Sequence, residues 1–182
     1  MKIIGGKFRG RNLITPSTVD IRPTTGRLRE SIFSAVDHRI GGFHGRRVAD
    51  IFSGTGALGL EALSRGATSA TWVEKHSLGL SILKENISLL EVEELAKILR
   101  VDARNLPGSD KPFDVIFMDP PYGRALAGPC MRSLLEKNWV GETSLLVLEV
   151  DKNDEVEVPE GLEIVKTLKQ GFRRVYFIEK SA

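Results

Sequence analysis

From Val48 to Val150 the chain alternates short apolar runs with amphipathic helical stretches, and this alternation constrains the fold more than any other feature. Val48–Phe52, Ala70–Val73, Ile98–Val101, Phe113–Met118 and Ser144–Val150 read as strands, with Ala57–Arg65, Ser77–Leu90 and Leu126–Lys137 as intervening helices. Ser77 is the expected N-cap of its helix, and Leu78, Ile82, Leu83, Ile87 and Leu90 its buried stripe. Strands separated by helices run parallel with right-handed crossovers. Phe113–Met118, apolar almost throughout, suits a central strand covered on both faces. Leu162–Leu168 and Phe172–Ile178, joined by Lys169-Gln170-Gly171, read as a closing β-hairpin. The expected class is α/β, a doubly wound, mostly parallel, Rossmann-like sheet with an antiparallel C-terminal hairpin. Ligands of such sheets bind beyond the carboxyl ends of the strands, where strand order reverses.

The strand ends are therefore the places to search. After the first come Gly54, Gly56 and Gly59, a G-x-G-x-x-G spacing opening a helix. Glycine there permits a tight turn and close backbone approach to a ligand, a device shared by dinucleotide enzymes and methyltransferases alike. Glu74 ends the second strand, where a carboxylate can accept from both ribose hydroxyls of an adenosine-containing cofactor. Asp102 ends the third; it can accept from the exocyclic amine of adenine while the Ala103 amide faces a ring nitrogen.

Asp119-Pro120-Pro121-Tyr122, directly after the fourth strand, decides between the two classes. The exocyclic amine of a nucleobase is a poor nucleophile because its lone pair is delocalised into the ring. Two acceptors that draw both N–H bonds out of the ring plane localise that pair for attack on a methyl sulfonium. Asp119 supplies one acceptor and the Pro120 carbonyl the second, with the prolines fixing the backbone direction. Tyr122 offers a flat face for an unstacked base. This chemistry needs no metal, and the three histidines show no ligand spacing.

Ahead of the alternating region, residues 1–24 read as a hairpin with Gly5-Gly6 and Gly10 as turn signals, then an irregular stretch through Arg22-Pro23-Thr24. A helix is expected from Thr25 to about Arg39, ended by Gly41-Gly42. Residues 1–47 hold ten Lys/Arg against three acidic residues, a net of +7, so the other 135 residues carry −5 within the total of +2. A basic arm on a mildly acidic body suits an anionic partner. Phosphate contacts are expected from Lys7, Arg9, Arg11, Arg22 and Arg27, which the resemblance given below assigns to RNA, with Arg22-Pro23-Thr24 able to close as a lid. This divides the chain into an RNA-binding extension, 1–40, and a catalytic domain, 41–182. The single cysteine, Cys130, and the absence of a signal-peptide core or of about 18 consecutive apolar residues point to a soluble, cytoplasmic protein with no membrane partner.

The run Asp50–Ala67 with Asp119–Tyr122, Gly6–Arg11 and Arg22–Glu30 resembles the bacterial small-subunit (16S) ribosomal RNA guanine-N2 methyltransferases of the D type. The resemblance spans nearly the whole chain and is strongest from Arg22 to Tyr122. It implies a class I S-adenosylmethionine-dependent fold and transfer of a methyl group to the 2-amino nitrogen of a guanine in small-subunit rRNA. The expected setting is an assembling subunit that already carries ribosomal proteins. By matching positions it places Asp50, Phe52, Gly54 and Gly56 at the cofactor's methionine side, Glu74 at the ribose, and Asp102 with Ala103 at the adenine. Asp119, Pro120 and Tyr122 are placed at the target base. Phe172-Arg173-Arg174 is more basic than the family's pattern at that hairpin turn. The residues also admit an adenine or cytosine amine in DNA or another RNA, a nicotinamide-dependent oxidoreductase, or a noncatalytic RNA-binding module.

Overall fold

A computed structural model describes residues 1–16, 26–121, 123 and 125–181. Arg22, Tyr122 and the expected lid lie outside the described residues. The elements run α1 (Gly26–Ile40), β1 (Arg47–Ile51), α2 (Ala57–Ser64), β2 (Ser69–Val73), α3 (Ser77–Leu89), β3 (Ala96–Leu99), β4 (Phe113–Met118), α4 (Ala127–Glu136), β5 (Val140–Asp151), β6 (Leu162–Gln170) and β7 (Arg173–Lys180). A single 3-10 turn, Glu93–Leu95, precedes β3. The strands form one sheet in the order β3-β2-β1-β4-β5-β7-β6, with β1 to β5 parallel and β7 antiparallel to both neighbours. Order therefore reverses between β1 and β4.

Both faces of the sheet are covered, and the strand period of two assigns each side chain to a face. Val48, Val115, Phe117, Leu145 and Val147 pack with Leu28, Ile32, Phe33 and Val36 of α1, Leu60 of α2 and Leu83 of α3. Their neighbours Ala49, Ile116, Met118, Leu146 and Leu148 face Cys130, Met131 and Leu134 of α4. Because β4 is buried on both sides, its sequence shows no alternation. Among the described residues, no helix is long and apolar enough to cross a membrane.

Residues 1–16 bend back on themselves but form a single bridge, Lys2 with Asn12, rather than an extended hairpin. They are held against α2 by its side chains. The Ile4 and Gly5 amides donate to Glu61 (2.8 Å each), and Phe8 N–H donates to Ser64 Oγ (2.9 Å). Gly6 sits at φ +74°, where an added Cβ would lie 1.8 Å from the Ser64 carbonyl oxygen, so only glycine fits this approach. Ile3 and Leu13 enter the same core as α1 and the sheet.

Four sequence expectations shift. Strand β3 ends at Leu99, because β2 ends at Val73 and offers no partner to Arg100 and Val101. The N-cap of α3 is His76, without a side-chain cap, and not Ser77. Strand β5 begins four residues early and crosses an irregularity, where Ser144 Oγ accepts from Gly141 N–H (2.7 Å) and donates to the Phe113 carbonyl (2.5 Å). The hairpin turns at Gly171-Phe172 rather than at Lys169-Gln170-Gly171, since Gln170 still pairs with Arg173.

Candidate active site

At the switch point the carboxyl ends of β1 and β4 lie side by side, with Ile51 opposite Met118. A cavity of about 830 Å³ opens there, within the range of small-molecule sites. Asp50, Phe52, Gly54, Glu74, Asp102, Ala103, Asp119 and Pro120, all expected from the sequence, line it. Met1, Thr15 and Pro16 of the N-terminal arm close one side.

The glycine turn is held by side chains from behind. Asp50 accepts from the Gly59 amide (2.9 Å), in the first turn of α2, while Glu74 accepts from the Gly54 amide (2.9 Å) and the His76 amide (2.8 Å). Phe52 has φ of 61°, a left-handed conformation unusual for an aromatic residue. Gly56 follows at φ +79°, and a Cβ there would lie 2.3 Å from Leu83 Cδ1. Gly56 does not line the cavity; it shapes the turn from below.

Three residues of the site carry marked electrostatic signatures. Burial pushes the Asp50 carboxyl up to about 8, opposed by the Gly59 hydrogen bond and helped by the neighbouring charges of Asp119 and Glu74. Burial likewise pushes Asp119 up to about 6, against the pull of nearby Arg173. Asp102, in the loop beyond β3, is instead held well below the usual carboxylate range by Arg104, which donates from its backbone N–H (3.0 Å), Nε (2.9 Å) and Nη2 (2.8 Å). Lys75 adds a contact at 3.3 Å. Asp102 is a permanent anion at the rim, whereas Asp50 is a carboxyl that a neighbouring cation would ionise.

Leu78 and Arg29 are among the lining residues that the sequence did not single out. Leu78, expected in the buried stripe of α3, is 59% exposed and lies in the cavity wall with Ile82, an apolar surface suited to a flat ring. Arg29, on α1, is 3% exposed, donates from Nη2 to the Lys2 carbonyl (2.5 Å), and has Nε buried without a partner among the described residues. A buried cation in a cavity wall marks a place for an anion. Neither signal is visible in sequence, where Leu78 has helical core spacing and Arg29 is one of many arginines.

The other expected RNA contacts are scattered. Lys7 and Arg9 are exposed at the far end of α2, some 12 Å along that helix from the glycine turn. Arg11 donates to the Leu89 carbonyl (2.8 Å), and Phe8 packs on the core rather than standing free. Arg27 is exposed on the first turn of α1.

Arg29, Asp50, Glu74, Asp102 and Asp119 thus bring one cation and four carboxyl groups to a single cavity with an apolar wall at Leu78 and Ile82. Fold and site together define a class I methyltransferase, and S-adenosylmethionine is its cofactor. The chain belongs to the conserved hypothetical protein 95 family, matched over residues 1–179, and within it groups with the ribosomal RNA small subunit methyltransferases D. The Haemophilus influenzae member of that name is 33% identical over 94% of this chain and 89% of its own length. The Escherichia coli member is 35% identical over 82% of this chain and 74% of its own. The solved structure of the putative methyltransferase yhhF from Escherichia coli superposes with a TM-score of 0.84 at 30% identity, covering 100% of this chain and 98% of that one.

Proposed function

We propose that this protein transfers the methyl group of S-adenosylmethionine to the 2-amino nitrogen of a guanine in small-subunit ribosomal RNA. The carrying observation is Asp119-Pro120 at the carboxyl end of β4, beside the cofactor-binding turn after β1. The names of the related ribosomal RNA small subunit methyltransferases D support the substrate class.

When bound, the cofactor supplies an electrophilic methyl carbon and accepts the electron pair of the breaking C–S bond, leaving as S-adenosylhomocysteine. The protein does the rest by placement. Asp119 and the Pro120 carbonyl accept the two N–H bonds of the target amine, which keeps its lone pair out of the ring and aimed at the methyl carbon. Those hydrogen bonds strengthen as the nitrogen becomes cationic, so they favour the transition state over the bound base. Asp119 then takes the proton that the methylated nitrogen releases. Tyr122 provides the stacking face for the base.

Arg29 pairs with the cofactor's carboxylate, and Asp50 with its ammonium side. Phe52, Gly54 and Gly56 shape the turn around the methionine portion. Glu74 holds the ribose, and Asp102 with Ala103 the adenine. Residues 1–40 form the RNA-facing part, with Lys7, Arg9, Arg11, Arg22 and Arg27 on phosphates, and the working substrate is an assembling subunit with ribosomal proteins in place, in the cytoplasm.

Incubation with labelled cofactor and immature small subunits, followed by nucleoside mass spectrometry, should yield N2-methylguanosine. Asp119→Ala should lower the rate at least about 100-fold while changing affinity for S-adenosylhomocysteine less than about threefold. Label on an adenine or cytosine amine, or on duplex DNA alone, would replace guanine in this reading.

A further inference from the structure

The tip of the β6–β7 hairpin lies at the same end of the sheet as Asp119, because Arg173 pairs in register with Asp151 at the carboxyl end of β5. It carries Phe172, whose ring is 63% exposed, the most exposed large hydrophobic side chain among the described residues. Lys152 Nζ lies 4.4 Å from that ring's centroid.

The tip is wired to the catalytic loop. Lys152 N–H donates to the Phe172 carbonyl (2.8 Å). Two residues on, Asp154 accepts from Gly123 N–H (3.3 Å), directly after Asp119–Tyr122, and from Asp151 N–H (3.3 Å). Asp151 in turn accepts from Asn153 N–H (3.0 Å). Both aspartates are thus occupied by backbone donors. Lys152 and Lys169 stand exposed, with no ion pair among the described residues, and Arg174 pairs in register with Lys169. Arg173, directly after Phe172, is close enough for its charge to act on Asp119.

An exposed aromatic ring beneath a lysine, on a hairpin end that also carries Lys169 and Arg174 and is joined to the loop proposed to hold the target base, has the chemistry of a nucleotide-stacking platform. We propose that Phe172 stacks on an unpaired RNA base neighbouring the one to be methylated, with Lys152, Lys169 and Arg174 on the adjoining phosphates. The platform holds the strand while the target base enters the pocket at Asp119. This rests on the RNA reading given above and adds a contact surface to it.

Two measurements test it. Phe172→Ala should raise KM for immature small subunits about tenfold, the scale of one base–aromatic stack, while leaving kcat and S-adenosylhomocysteine affinity unchanged. Phe172→Trp should restore KM and Phe172→Leu should not. Trp72 and Trp139 are both buried and shielded from contact, so emission of Phe172→Trp in excess of the wild type reports on the tip; that excess should be quenched by single-stranded oligoadenylate. An unchanged KM in Phe172→Ala, or no quenching at saturating oligoadenylate, overturns the platform; the latter is the result expected if a protein covers the tip instead. A wild-type enzyme inactive on small subunits counts against the rRNA reading, and quenching still decides the platform.

Discussion

Arg29 shows how much one buried side chain can decide. A guanidinium withdrawn from water, with Nε unpartnered among the described residues, is unfavourable unless a further partner completes it. Burial also lowers its pKa, against the favourable charge of Glu61. Arg29→Met should therefore weaken S-adenosylhomocysteine binding tenfold or more, yet leave 5′-methylthioadenosine, which lacks the carboxylate, unaffected. Calorimetry on both ligands checks this, and equal weakening of the two would reduce Arg29 to a brace for the Lys2 carbonyl. Asp119 is the opposite case. It stood out as a candidate because Asp-Pro-Pro-Tyr is a local pattern after an apolar strand, whereas Arg29 reaches the cavity only once α1 is laid across the sheet.

At the level of elements, α2 does two jobs from its two ends. Its first turn receives the Asp50 carboxylate and builds the cofactor turn, while Glu61 and Ser64 near its other end fasten residues 4–8. Glu61 is fully buried, accepting from two backbone amides and from Arg65 Nε (2.9 Å), which in turn reaches Asp37 on α1 (3.0 Å). Glu61→Ala strands those donors and should cost about 3 kcal/mol in denaturant unfolding. Amide exchange should accelerate selectively between residues 3 and 13; unchanged protection there would mean that Ile3 and Leu13 anchor the arm unaided. The strand–helix alternation itself was readable, since short apolar runs bounded by turn residues mark the buried strands and helical spacing marks the segments between them. The ends were less so: β3 is a half-buried edge strand whose limit is set by the length of β2, and Leu78 sits at a helical core position that faces a cavity.

For the molecule as a whole, the site's carboxyls set the pH dependence of stability. Asp50 and Asp119 hold protons more tightly folded than unfolded, so their contribution is complete below about pH 4 and is lost as pH rises through about 6 and then about 8. Asp102 is shifted the other way, so its contribution is present above the ordinary carboxylate range and constant between pH 5 and 8. The thermal midpoint of the ligand-free protein should fall across that window, and Asp50→Asn should flatten the upper part of the decline. A midpoint rising from pH 5 to 8 would contradict this assignment. The direction follows from burial, which disfavours the charged form of both carboxyls.

Sequence alone determined the α/β class and the parallel order of construction, and singled out Glu74, Asp102 and Asp119 as candidates at strand ends, because hydrophobic period and strand-end position are local properties of the chain; Asp50 came from the family resemblance. Tertiary structure decided what those residues became. It placed β1 beside β4 so that Asp50 and Asp119 share one cavity, turned Arg29 and Leu78 into its walls, and carried Phe172 to the same end of the sheet from fifty residues beyond the catalytic loop. Such meetings depend on strand order and register, which join residues far apart in sequence, and no local pattern records them.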